Sequence, residues 1–173
     1  LVGSSWTQVG NDIDGEATSD ESGYSIAMNS SDGSRIAIGA IKNDGNGSNS
    51  GHVRVYDWNG SSWVKVGSDI DGEATDDESG YSIAMNSTGS RIAIGARNND
   101  ENGSNSGHVR VYDWNGTSWT QIGIDVDGEV AGDKSGHSVA MSSDGSIIAI
   151  GAPYNDDNGS GSGHVRVYEL GIP

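Results

Sequence analysis

Carboxylates recur at alternate positions in three acidic segments, the first of which reads DIDGEATSDE and begins at Asp12. Oxygen ligands at alternate positions suit Ca²⁺, which takes six to eight of them, although the glycine and terminal glutamate of an EF-hand are not in place. A solvated acidic surface, in which Asp and Asn cap turns, is the alternative. The candidate calcium ligands are Asp12, Asp14, Glu16, Asp20, Asp69, Asp71, Glu73, Asp77, Asp125, Asp127, Glu129 and Asp133.

Histidines recur at the regular positions 52, 108 and 164. We expect each to open a strand and contact a neighbouring loop. Metal ligation is the weaker alternative, because the sequence shows no second ligand type repeated beside them. The chain contains no Gly-x-Ser-x-Gly elbow, no His-Glu-x-x-His and no phosphate loop. We therefore expect a non-enzymatic protein, with a glycosidase-type carboxylate pair as the alternative.

Tryptophans flank two Asn-Gly dipeptides and are expected to pack across the hairpins that these turns close. Sugar stacking on the same rings would make the chain a lectin-like carbohydrate-binding module. The rings concerned are Trp58, Trp63, Trp114 and Trp119. Glycosylation sequons are also present, although turns rich in Asn and Ser produce them too. The candidate acceptors are Asn46, Asn59, Asn102, Asn115 and Asn158.

The formal charge of −16 makes several classes of partner unfavourable. Nucleic-acid backbones and anionic lipid surfaces attract basic proteins, so we expect neither as a partner. No run of 18 apolar residues exists, so we expect no membrane insertion. The chain has no Cys, which excludes disulfides and thiolate metal sites. Cations or basic partners are favoured instead.

A unit of about 56 residues repeats through the chain, and each unit holds four strand patterns and no helical pattern. The four strand patterns of a unit read, in order, YSIAM, RIAIGA, HVRVY and SWVKVG, and an acidic connector then leads to the next unit. Four antiparallel strands at this period are typical of a β-propeller blade, with a β-solenoid as the competing geometry. We predict one all-β segment over residues 1–173, with blades at about 23–67, 80–123 and 136–170 and a further strand at 4–10.

Propeller topology places the loop between the second and third strands on the same side as the connector to the next unit. These segments carry 20 of the 25 acidic residues. The sequence therefore predicts one strongly acidic face, which would be either a contact surface or a face loaded with cations.

The unit resembles the FG-GAP repeat of integrin-α-like propellers over essentially the whole chain. The motifs that carry the resemblance are Ser22-Gly23-Tyr24 before the first strand, Gly151-Ala152-Pro153 after the second, and SGHVRVY at the third. The resemblance implies a secreted or cell-surface module for structural assembly, adhesion or ligand binding. The family's calcium loop between the first two strands is not carried over, because NSTGS and its counterparts are too short and hold at most one carboxylate.

Three blades are too few to close a ring, so the outer sheets would leave apolar faces in water. We expect Ser4–Gly10 of one chain, with Trp6 and Gln8, to pair with the Val165 and Val167 strand of another. Two chains would make a six-bladed ring, and a contact that does not close would make a filament. The alternative is that the sequence is an excerpt of a longer array. A protein or glycan ligand stays unidentified.

Overall fold

The computed structural model describes residues 4–171, and within them the chain consists of antiparallel β-sheets joined by turns. The expected segment 1–173 extends past this range, so residues 1–3 and 172–173 lie outside the described residues. No helix in the described range is long and apolar enough to cross a membrane.

Thirteen strands form three sheets, one for each repeat. The first sheet contains β1 (Ser22–Met28), β2 (Arg35–Ala40), β3 (His52–Trp58), β4 (Trp63–Lys65) and β5 (Ile70–Asp71). The second contains β6 (Ser82–Met85), β7 (Arg91–Ala96), β8 (His108–Trp114), β9 (Trp119–Gln121) and β10 (Val126–Asp127). The third contains β11 (Ser138–Met141), β12 (Ile147–Ala152) and β13 (His164–Glu169).

The predicted fourth strand, SWVKVG, is shorter in the structure, and the connector that follows it supplies a further short strand. Trp63 pairs with Trp58 at one end of β3, whereas Ile70 pairs with Val53 at the other end. Gly67 has a φ of 77° between the two paired segments, which breaks the extended backbone. The outer edge of each of the first two sheets is therefore covered by two short strands rather than one.

Only the third sheet keeps a bare outer edge among residues 4–171, because β13 pairs with β12 alone. The expectation of four strands in every blade therefore holds for two of the three sheets within the chain. Residues 4–10, the expected extra strand, form none here. Their pairing with a second chain stays a prediction.

The apolar core lies between the sheets rather than inside any one of them. Val53 and Val55 of the first sheet pack with Ile92 and Ile94 of the second. Val109 of the second sheet packs in turn with buried isoleucines of the third. Side chains on alternate positions of a strand reach the facing sheet, so every sheet depends on a neighbour for its burial.

Neighbouring sheets approach to backbone contact at a glycine on each second strand. The Ser82 hydroxyl donates to the Gly136 carbonyl at 2.7 Å, and Ser25 donates to Gly80 at 2.6 Å. A Cβ added at Gly95 would lie 2.1 Å from the Gly136 oxygen. Real atoms do not approach so closely, so the RIAIGA glycine is required by the spacing of the sheets.

Arginines link the sheets on the side opposite the acidic connectors. Arg91 forms a bidentate pair with Asp113 at 2.6 and 2.7 Å and donates to the Gly145 carbonyl of the next sheet at 2.8 Å. Arg35 does the same with Asp57 and Gly89. Planar, charge-assisted pairs of this kind fix orientation as well as distance.

We predict that Gly95→Ala lowers the free energy of unfolding by about 2 kcal/mol or more, because the added methyl group overlaps backbone that cannot rotate away. For a chain of this length that corresponds to a loss of roughly 5 °C or more in Tm, measured by calorimetry. Gly171→Ala is the control, since its Cβ would enter open space. Equal melting temperatures for the two variants would contradict the close approach of the sheets.

Candidate functional site

A cluster of one histidine and several carboxylates occurs once at each repeat on the acidic side of the sheets. The histidine opens the third strand of its sheet, as the sequence predicted. A glutamate comes from the connector before that sheet, and an acidic residue comes from a connector or loop nearby. The clusters are Glu16, His52 and Asp69; Glu73, Glu101, His108 and Asp125; and Glu129, Asp133 and His164.

The second cluster is the most enclosed. His108 is fully buried, and its Nδ1 lies 3.5 Å from Asp125 Oδ2 and 3.8 Å from Glu73 Oε2. These distances are too long for good hydrogen bonds. Among the residues described, neither ring nitrogen of His108 has a hydrogen-bond partner.

Arg110 orients the glutamate of this cluster. Its guanidinium donates to the Asp71 carbonyl at 2.8 Å and lies 3.4 Å from Glu73 Oε1, which leaves Oε2 facing the imidazole. Arg54 makes the matching contacts with Asp14 and Glu16. Each of these arginines therefore joins its strand to the preceding connector through one carbonyl and one glutamate.

Burial governs the charge states in this cluster. Loss of hydration lowers the pKa of His108 to about 4, and the Arg110 charge adds to this effect while Asp125 opposes it. Burial also raises the pKa of Glu73, against the opposing charge of Arg110 and with the help of Asp125. The site therefore holds a neutral imidazole near neutral pH.

The third cluster has Asp133 in place of an aspartate from a following connector, and the Asn155 side chain and the Val130 amide already donate to that carboxylate. His164 Nδ1 lies 3.6 Å from Glu129 and 4.0 Å from Asp157, but no residue of the described chain takes the place of Asp69 or Asp125. The corresponding residue in the repeat is Asp12, which lies beside the first sheet.

A second group of predicted ligands has a structural role. Asp77 is buried, and its Oδ2 accepts hydrogen bonds from the Asn99 side chain and the Ala74 amide, both at 3.1 Å. Asp20 and Asp133 accept the equivalent bonds from Asn43 and Asn155, respectively. These carboxylates tie each connector to the loop of its neighbour and close the connector turn.

The remaining predicted ligands lie apart from the clusters. Asp14, Asp71 and Asp127 serve through their backbone carbonyls, each of which accepts from the arginine of a third strand. Asp12 accepts a hydrogen bond from Gln8 at 2.8 Å. The acidic segments therefore do not gather into one all-oxygen cage in the described chain. Calcium binding stays a prediction.

The tryptophans are used in packing between units. Trp114 and Trp119 lie 5.4 Å apart by ring centroids, and Arg35 of the preceding sheet stacks over both. The Trp119 indole donates to the Val66 carbonyl at 3.2 Å. Trp58 and Trp63 form the same pair, so the four rings share one role in the two repeats. Sugar stacking stays a prediction.

The sequons fall on loops and turns, and several of their amides are already engaged. Asn102 donates to the Gly128 and Glu129 carbonyls of the following connector, and Asn46 makes the equivalent pair of bonds. Asn59 and Asn115 cap their hairpin turns. Glycosylation at any of the five candidates, Asn158 included, stays a prediction.

Two open faces mark the ends of the row of sheets. On the N-terminal open face, formed by Tyr24, Ile26 and Met28 of β1, Ile26 is 65% exposed although its counterpart Ile83 is 9% exposed. On the C-terminal open face, formed by Val165 and Val167 of β13, Val165 is 67% exposed. Its counterpart in the second sheet is fully buried.

Sequence reasoning missed the ligand partners of the histidines because they are distant along the chain. Glu73 precedes His108 by 35 residues and Asp125 follows it by 17. The first repeat preserves this spacing to within one residue with Glu16, His52 and Asp69. Aligning the repeats and asking which acidic residues keep a fixed offset from each histidine would have found the triads.

Comparisons with known proteins agree with the architecture. A model of the FG-GAP repeat family matches residues 69–112 and 124–168, about half of the chain. Among solved structures, Kuenenia stuttgartiensis hydrazine synthase aligns with 86% of this chain at 15% identity and a TM-score of 0.51. The alignment spans 45% of that chain, and at this identity it shows the fold alone. No curated protein matches the chain.

We predict that the His108 imidazole stays neutral until the pH falls to about 4, because burial disfavours its charged form. An unfolded chain binds this proton near pH 6.5. The contribution of His108 to the free energy of unfolding is therefore complete above pH 6.5 and lost as the pH falls towards 4. NMR titration of the ring protons, with half-exposed His137 as the internal comparison, would contradict this if His108 titrated near 6.5.

Proposed function

The chain belongs to the FG-GAP repeat family, and from this premise we propose that it is a non-enzymatic, extracellular or cell-surface β-propeller module that acts by assembly. The occupant of its C-terminal open face is the Ser4–Gly10 segment of a second copy, followed by the β1 sheet of that copy. The family's repeats are typical of extracellular proteins, which supports the location.

One observation carries this proposal. Neighbouring sheets touch through their backbones at the two junctions within the chain, and these contacts are missing at the two outer faces of the row of sheets. A Cβ at Gly95 would strike Gly136, whereas a Cβ at Gly151 would meet only Ser138 of its own sheet within the described residues. Gly23, the counterpart of Gly136, has no neighbour within 4 Å of an added Cβ. Each end therefore carries half of the same junction.

The segment around Trp6 fits the bare edge of β13, because the equivalent tryptophans of the first two sheets make matching contacts. Trp63 donates to the Val9 carbonyl at 3.0 Å, and Trp119 makes the matching bond to Val66. In the third repeat the matching acceptor is Ile122, which lines an apolar groove of about 180 Å³ beside β13. Trp6 is itself fully exposed in the single chain.

Burial supplies the driving force for such a contact. Each aliphatic side chain moved from water into a core contributes about 1.5–3 kcal/mol, and the two open faces together expose Ile26, Met28, Val165 and Val167. The paired surfaces differ from each other, so the contact is head-to-tail. Such a contact yields a ring if the rotation closes and a filament if it does not. Two chains of three sheets would supply six blades.

The acidic side of the ring would be its outward contact surface for a basic protein, a glycan or cations. Three histidine–carboxylate clusters and the connectors lie there. The single chain has a formal charge of −16, so assembly doubles the charge that a basic partner meets. Adhesion or ligand binding at this surface is the second part of the proposal.

We predict that the purified chain forms dimers or longer assemblies, measured by light scattering and native mass spectrometry over a range of concentrations. Trp6→Ala removes the ring that enters the groove, and Gly151→Ala places a methyl group against the Gly23 region of the second copy. Both variants should shift the population to monomer by at least about tenfold, since each loses more than about 1.4 kcal/mol of junction energy. Neither should unfold the single chain.

Val130→Ala is the control. It removes an exposed apolar side chain outside both open faces, at a position where the other repeats already have Ala17 and Ala74. A chain that stays monomeric at all concentrations would overturn assembly by a second copy and leave a flanking repeat as the occupant. Unchanged assembly in Trp6→Ala would overturn the role of the Ser4–Gly10 segment.

A further inference from the structure

The buried imidazole of His108 is the strongest unexplained polar group in the described chain. Both of its ring nitrogens are enclosed and lack a hydrogen-bond partner there. Leaving a buried donor or acceptor unpaired costs about 1–3 kcal/mol, so such a group calls for an ion or an ordered water. Nδ1 points at two carboxylates, which already face each other in a partly buried site.

The spacing of these atoms is that of metal ligands. In a tetrahedral zinc site with bonds of about 2.0–2.1 Å, neighbouring ligand atoms lie roughly 3.3 Å apart. His108 Nδ1 lies 3.5 Å from Asp125 Oδ2 and 3.8 Å from Glu73 Oε2. The ligand atoms of all three residues lie within 4.8 Å of one another, so small side-chain movements would bring them onto one ion.

We propose that Glu73, His108 and Asp125 bind a transition-metal dication, with Zn²⁺ as the best fit. The equivalent cluster of the first repeat, Glu16, His52 and Asp69, would bind a second ion on displacing the Lys65 ammonium group, which contacts both of its carboxylates. Both sites lie wholly within one chain and join a connector on each side to the third strand between them.

The ligand types favour Zn²⁺ over Ca²⁺. Imidazole nitrogen together with carboxylate oxygen suits zinc, whereas calcium prefers six to eight oxygen ligands. Glu101 supplies a fourth protein ligand within reach at the second site. Glu73 and Asp125 bring two acidic groups to the site against the single guanidinium of Arg110, a balance that favours a cation.

Arg110 acts as a positioning residue. It lies 3.4 Å from Glu73 Oε1, so the other carboxylate oxygen is directed towards His108. Partners of this kind fix the orientation of a ligand, and their loss commonly weakens metal binding 10- to 100-fold. The arginine stays in place at all three repeats, because each donates to a connector carbonyl.

The third site is completed between copies, and this part rests on the proposed function. His164 and Glu129 stand 3.6 Å apart without the aspartate of the other repeats. Asp12 holds the matching position and lies two residues after the Ser4–Gly10 segment. A second copy docked through that segment would bring its Asp12 to the His164 of the first.

The test is titration of the chelator-treated chain with Zn²⁺, followed by calorimetry and by native mass spectrometry of each oligomeric species. We expect two zinc ions in each monomer and three for each chain with an occupied C-terminal open face. His108→Gln should remove one ion per chain. His137→Gln, a change in a histidine that packs on Tyr81 outside the clusters, should remove none.

Glu73→Gln is a second variant that should fold normally, because that side chain is 41% exposed. It should weaken the second site by more than about tenfold while leaving the melting temperature of the metal-free chain unchanged. Co²⁺ in place of Zn²⁺ should give the visible absorption of a tetrahedral site, and the same two variants should lose the share that the second site contributes. Zn²⁺ should also raise the Tm of the parent chain by several degrees, because it binds the folded state.

Several results would overturn the metal site. They are the absence of bound zinc, equal zinc content in the parent chain and His108→Gln, or Ca²⁺ binding at least as tight as Zn²⁺ and indifferent to both variants. A monomer that binds two zinc ions would retain the metal site and refute assembly. An assembly that contains no zinc would retain assembly and refute the metal site. An assembly with only two ions per chain would refute the shared third site.

Discussion

Each sheet of this protein must bury its faces against another sheet, and this constraint organises the rest of the structure. The cores lie between sheets, the glycines of the second strands permit backbone contact, and the arginines reach across the same boundary. Stability therefore arises from junctions rather than from units, as in other repeat architectures. An incomplete row exposes a core surface at each end.

The repeated junction also explains why chemistry gathers where it does. Each junction joins a connector to the third strand of the following sheet and to the connector after it. Glu73, His108 and Asp125 meet for this reason, although they are far apart in the chain. Binding groups contributed by two units give a site that exists only when the units are docked. Any ligand of such a site stabilises the junction that forms it.

Departures of the third repeat from the first two are consistent with a different neighbour. Ile147 stands where Arg35 and Arg91 clamp the next sheet, and Leu170 stands where the other repeats have a tryptophan. The change replaces a charge-assisted clamp by apolar groups at the edge of the groove that Ile122 lines. In the proposed assembly, a junction at the C-terminal open face would combine the same backbone contacts with a different set of side chains.

The sequence alone determined the repeat, the strand order, the all-β fold and the acidic side, because each follows from local patterns: alternating valines, Asn-Gly turns, and carboxylates confined to two kinds of loop. It did not reveal β5 within the connector, since a strand of two residues has no recognisable pattern. Only the tertiary structure decided which acidic residues act as caps and which face a histidine. Asp77 and Glu73 are four residues apart on one connector, yet one accepts bonds from Asn99 and the other faces His108. That distinction depends on contacts between residues that lie 17 to 36 positions apart in the chain. Short-range sequence patterns carry no information about contacts at such separations.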